Sequence, residues 1–188
     1  MDLDVPELEA RLIYSIVAGK SAKFADAVMR RWVQLFVRDR SCFEALRELS
    51  KNPGELEKSF REVRTGNYGK MLKACEALTT AKLDLATCGP EDLEKIPGIG
   101  PKTSRFFILW TRPTARYAAL DVHVLRWMRN KGYNVPRQTP GDRKVYARIE
   151  TWFLAEADRA GKSPAVLDAE IWEAGSKSSN NIPELCHG

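Results

Sequence analysis

The stretch Leu93-Glu94-Lys95-Ile96-Pro97-Gly98-Ile99-Gly100-Pro101-Lys102-Thr103 leaves the chain around it few shapes. It reads as a glycine-flanked turn between two helical patterns, with Leu93, Ile96 and Ile99 as apolar anchors. Gly98 and Gly100 stand on either side of Ile99 and permit backbone angles and close approaches that other residues hinder. Helical periodicity also dominates the rest of the chain, and no hairpin of strands is evident. Leu8, Leu12, Ile13, Ile16 and Val17 recur at helical spacing, as do Phe24, Val28, Trp32, Leu35 and Phe36. Ser41 is placed to cap a helix over 42–50, which Asn52-Pro53 breaks. Gly66 and Gly69 flank a turn at Asn67-Tyr68, before a helix carrying Met71, Leu72, Cys75 and Leu78. Three further helix starts are expected at Gly89-Pro90-Glu91-Asp92, Thr139-Pro140 and Ser163-Pro164. The helix after the second carries Val145, Ile149, Trp152 and Phe153, and that after the third Val166, Leu167, Ile171 and Trp172. From Ser176 the chain turns polar, so 176–188 is expected to be a loose tail.

With 188 residues, 44% hydrophobic and 29% charged, the chain can bury a substantial core and is excluded from the disordered class. No apolar run reaches membrane-spanning length. The acidic start, Met-Asp-Leu-Asp-Val-Pro-Glu, lacks the basic region of a signal peptide, so a cytoplasmic or otherwise intracellular protein, away from membranes, is expected. Cys42, Cys75, Cys88 and Cys186 are widely spaced with no C-x-x-C pair, which speaks against a local zinc site or iron–sulfur cluster. The net charge of +5 is unevenly spread. Residues 100–148 hold eleven Lys/Arg against Asp121 and Asp142, and the remainder is net acidic. A basic half suits a polyanionic partner; a solvated basic face is the alternative.

The hairpin's amides, with the first turn of the next helix, can bind a phosphate. The alternative is a tight αα-corner without a ligand. Lys102 falls in that first turn, where the helix dipole disfavours a cation, and the helix beyond it is strongly apolar (Phe106, Phe107, Ile108, Leu109, Trp110). Both surroundings favour the neutral amine that a Schiff-base nucleophile needs. Alone, Lys102 reads first as an exposed phosphate contact. Asp121 follows Ala118-Ala119-Leu120 and opens an apolar helical run, so it reads as a helix N-cap; capping and catalysis are compatible. His123, between Val122 and Val124, reads as packing or as a support behind the site, and not as a base.

Together these residues resemble the helix-hairpin-helix DNA glycosylases, the superfamily of endonuclease III and 8-oxoguanine glycosylase. There the hairpin reads roughly L-P-G-h-G-x-K-x-A, followed by h-D-x-H-h at similar separation. The matching residues are Ile96 to Ser104 and Leu120-Asp121-Val122-His123-Val124. Residues 12–36 resemble the family's early helix pair, Gly66 to Leu78 its G-x-x-x-K helix, and Lys162 to Trp172 the closing helix of the small 8-oxoguanine glycosylases. Ser104 departs from the usual small apolar residue, and the iron–sulfur motif of endonuclease III is missing.

The resemblance implies an all-α fold of two helical lobes with a cleft between them. It puts the helix-hairpin-helix at about 90–112, one lobe at about 20–115, and the other at about 1–19 plus 116–175. It makes Lys102 and Asp121 catalytic and implies base excision with lyase cleavage of double-stranded DNA by a monomer, 8-oxoguanine being the expected damaged base. Gly98, Ile99, Gly100 and Arg105 would contact DNA, with Lys20 and Ser21 at the turn Gly19-Lys20-Ser21 where a side chain fills the vacated stack. Phe106, Trp110 or Trp172 would stack the flipped base; plain core is the alternative for each. No resident cofactor is implied, although a monovalent cation at the hairpin is allowed. The rivals are a glycosylase for another modified base (an oxidised pyrimidine, or an alkylated or hypermodified base) and a non-catalytic helix-hairpin-helix DNA-binding module.

Overall fold

The computed structural model describes residues 3–18 and 22–179. Among them are ten α-helices, one π-helical turn and no strand, and no helix is long and apolar enough to cross a membrane. The chain divides into two compact units, Met1–Phe107 and Ile108–Gly188.

The first unit contains α1 (Val5–Val17), α2 (Ala22–Trp32), the π-helical turn Val33–Val37, α3 (Cys42–Leu49), α4 (Glu55–Val63), α5 (Tyr68–Thr80), α6 (Pro90–Leu93) and the start of α7 (Pro101–Thr111). Asp4 opens α1 by accepting from Glu7 N at 2.8 Å. The stripe Leu8, Leu12, Ile13 and Ile16 is buried, and α1 packs on α2, α3 and α5. Each such side chain contributes about 2 kcal/mol of apolar burial. This division differs from the expected lobes. The resemblance groups residues 1–19 with 116–175, whereas the buried stripe places α1 in the first unit, and the boundary falls inside α7 rather than near 115.

Ser41 caps α3 as expected: its Oγ accepts from Glu44 N, and Glu44 returns the bond to Ser41 N. Buried Glu9 on α1 adds a third acceptor at the same helix end, taking Phe43 N at 2.9 Å. Two features differ from the periodic pattern. The wider π turn after Trp32 shifts the register, so Leu35 is 37% exposed and Val37 takes the core position at 4%. Helix α4 was not anticipated; it starts at Gly54, a left-handed residue with no capping side chain. Its short stripe, Leu56, Phe60 and Val63, is nevertheless buried. Asn67, also left-handed, ends the turn expected at 67–68, and Tyr68 already belongs to α5.

The second unit packs α8 (Val122–Asn130), α9 (Arg143–Arg159) and α10 (Pro164–Ser179) around Leu125, Met128, Ile149, Phe153, Leu167 and Ile171. Ser163 opens α10 as expected. Two expectations are corrected. Helix α9 starts at Arg143 under an Asp142 cap that accepts from Lys144 N and Val145 N, because Thr139 is engaged elsewhere. Helix α10 runs to Ser179, so its backbone enters the stretch read as a loose tail.

Candidate functional site

The hairpin lies in the first unit. Helix α6 starts at Gly89-Pro90, with Asp92 accepting from Gly89 N at 3.2 Å. The chain then turns through Ile96 N to Leu93 O and Ile99 N to Ile96 O, both 3.0 Å, while Leu93, Ile96 and Ile99 are buried. The two glycines differ. Gly98 has φ +89, and a Cβ there would stand 3.0 Å from Lys70 Cγ, 3.1 Å from Lys70 O and 3.5 Å from Ala74 Cβ on α5. Gly98 is therefore demanded by the turn and by the crossing of α5. Gly100 faces open space, with nothing within 4 Å of its Cβ position. Beyond it, the N–H groups of Lys102 and Thr103 lie in the first turn of α7, where no preceding turn offers them a carbonyl.

Lys102 is half-buried, with Nζ over the Phe106 ring at 5.1 Å from its centroid. Lys70, on the G-x-x-x-K helix, presses its stem onto Gly98. Its amine is held below the usual lysine range by partial burial, then by the charge of Lys102. That pairing of two amines went unread in the sequence. So did Glu94, which takes Arg105 Nη1 at 2.7 Å and Ser104 Oγ at 3.0 Å on one oxygen. Exposures of only 11% for the Arg105 side chain and 6% for that of Glu94 make this a buried ion pair. Arg105, expected to contact DNA, thus clamps α7 onto the turn after α6. Ser104 is fully buried and satisfied by Glu94 and Pro101 O, which accounts for a polar residue at that position.

Asp121 lies in the second unit and caps α8, its Oδ1 accepting from His123 N and Val124 N at 2.8 Å each. No bond to Oδ2 is seen among the described residues, so that oxygen can meet a ligand. His123 packs, as expected: Nδ1 lies 2.9 Å from Arg126 Nη2, and the ring meets Trp172 edge-on at 6.5 Å. Trp172 is 42% exposed, as a stacking surface requires, and Trp110 is 38% exposed; Phe106 is half-buried beneath Lys102. Gly175 lets α10 approach His123 and Arg126 closely; a Cβ there would overlap His123 Nδ1. The basic half is partly neutralised from within. Arg116 pairs with Asp158 through two bonds, and Lys131 with buried Glu156, while Arg137, Arg143, Lys144 and Arg148 are exposed. Lys20 and Ser21 lie outside the described residues.

No group of three or more His, Cys, Asp or Glu is placed to hold a metal among the described residues. A monovalent cation at the hairpin would need backbone oxygens. Leu93 O and Ile96 O each accept one turn N–H, so each retains a lone pair for such an ion.

No family model matches the chain. Two crystal structures resemble it. The 8-oxoguanine DNA glycosylase of Thermotoga maritima matches with a TM-score of 0.66 at 24% identity, over 89% of this chain and 78% of that one. The 8-oxoguanine DNA glycosylase of Methanocaldococcus jannaschii gives 0.67 at 18%, over 92% and 79%. The likeness is one of architecture, and by it this all-α chain has the fold of the helix-hairpin-helix 8-oxoguanine glycosylases.

Proposed function

We propose that the protein is a bifunctional DNA glycosylase and abasic-site lyase acting as a monomer on duplex DNA with a damaged base, 8-oxoguanine first among the candidates. One observation carries the reading. The fold shared with two 8-oxoguanine glycosylases displays Lys102 in the first turn of α7 and an Asp121 carboxylate with no bond to Oδ2 among the described residues.

The open backbone at Gly100 and the amides that follow hold phosphate without reading sequence. The target base leaves the stack, since its glycosidic bond is unreachable inside it, and Trp172 or Phe106 stacks against it. Asp121 stabilises the cationic sugar and helps Lys102 shed its proton. The Lys102 amine bonds to C1′ as the C1′–N bond breaks and the base departs with a proton. Opening of the sugar ring gives an imine; loss of a C2′ proton then expels the 3′ phosphate by β-elimination.

The test is base release from duplexes carrying 8-oxoguanine, thymine glycol, uracil or an alkylpurine. Release of 8-oxoguanine with strand cleavage is expected. Release of another base alone redirects the substrate, and tight binding with no release from any duplex leaves a DNA-binding module.

A further inference from the structure

Residues 115–121 are neither helix nor strand, yet Ala118, Ala119 and Leu120 are buried. Buried backbone outside regular structure must find partners for its polar groups. Here side chains supply them. Ala118 N donates to Glu150 Oε1 at 2.8 Å. The Tyr146 hydroxyl, on a residue only 1% exposed, donates to Ala118 O at 2.7 Å and accepts from Leu120 N at 3.1 Å, bracketing Ala119. Thr139 Oγ1 donates to Leu120 O at 2.7 Å. Asp121 is the next residue, and its own N–H closes back on Ala119 O at 2.7 Å. Four of the backbone groups just ahead of the carboxylate are therefore fixed by three side chains, two from α9 and one from the loop before it.

We infer that Tyr146 and Thr139 are positioning residues for Asp121, aiming its uncommitted oxygen by fixing the backbone that carries it. The inference rests on the glycosylase reading. Its logic is that α8 holds the C-terminal side of Asp121, through Oδ1 and through the carbonyl that accepts from Leu125 N at 2.9 Å, whereas the hydroxyls hold the other side, through the preceding peptides. Removing a hydroxyl lets the segment drift by a fraction of an ångström, which slows chemistry more than binding.

The experiment compares wild type with Tyr146→Phe, Thr139→Val and Thr139→Ser, well below the unfolding temperature of each. It measures single-turnover excision from an 8-oxoguanine·cytosine duplex and affinity for a duplex carrying a tetrahydrofuran abasic analogue. Excision is expected to fall about tenfold in Tyr146→Phe and about threefold in Thr139→Val, with affinity within about twofold and the rate restored in Thr139→Ser. Thr139 is exposed, so its variants remain informative even if Tyr146→Phe folds poorly. Active wild type with Thr139→Val at the wild-type rate overturns the positioning role, as does a loss in Thr139→Val that Thr139→Ser shares. Wild type that releases no base from this duplex or from those carrying thymine glycol, uracil or an alkylpurine overturns the glycosylase reading itself, and the inference with it.

Discussion

The hairpin and the segment before Asp121 solve one problem by opposite means. Each must hold irregular backbone still beside a chemically useful side chain. The hairpin does so mostly from within: three buried apolar residues, a left-handed glycine and one ion pair within Leu93–Arg105 set its shape, and α5 adds only its close crossing at Gly98. The stretch 118–121 has no such local frame and is held by Thr139, Tyr146 and Glu150, far along the chain. A region is legible in sequence when its constraints are local, and opaque when they come from a distant helix.

The largest expected effect separates charge from scaffold at Asp121. Asn also caps helices, so Asp121→Asn should leave α8 and duplex affinity intact while excision falls about 10³-fold, read by single-turnover kinetics. A loss of affinity matching the loss of rate would mean that the carboxylate serves only the scaffold.

Next come the two carboxylates that pin the two regions. Glu94→Ala takes the opposite charge away from buried Arg105 and should cost about 3 kcal/mol, seen in denaturant unfolding. Glu150→Ala takes the acceptor from the Ala118 amide and should cost about 1 kcal/mol. Equal losses would erase the contrast between a local ion pair and a distant hydrogen bond.

The glycines sharpen the hairpin half. Gly98→Ala must accept a left-handed backbone and crowd the Lys70 carbonyl, so about 2 kcal/mol of stability should go. Gly100→Ala should keep stability within about 0.5 kcal/mol, because nothing crowds that position. It should nonetheless weaken duplex binding and flatten its salt dependence.

The smallest effect is alkaline and belongs to the first unit. Burial, then the Glu9 charge, pushes the Cys42 thiol up to about 12, and burial with Asp26 does the same for Tyr14. From pH 9 to about 12 the unfolded chain releases protons that the folded chain keeps, so stability falls as pH rises through that window. Cys42→Ala should make the decline shallower, as followed by chemical denaturation at stepped pH.

Much of the fold follows from sequence pattern. The Ser41 cap, the Gly89-Pro90 start, the turn at Gly98 and the Asp121 cap all depend on neighbours a few residues away. What the pattern hides is set at longer range. The π turn at Val33–Val37 exchanges Leu35 for Val37 in the core because packing overrides the 3.6-residue period. Arg105 looks like a free cation until Glu94 is seen beneath it. Tyr146 is one more residue on a buried helix face until its hydroxyl is found holding Ala118 and Leu120. Thr139, read as a helix start, faces Leu120 O instead.

The central claim is that Lys102 is the nucleophile. Borohydride trapping on an 8-oxoguanine duplex tests it most directly, since reduction freezes the imine as a covalent protein–DNA adduct. The adduct should form with wild type and vanish in Lys102→Gln, which leaves the hairpin and its amides in place. Undiminished trapping in Lys102→Gln would contradict the assignment.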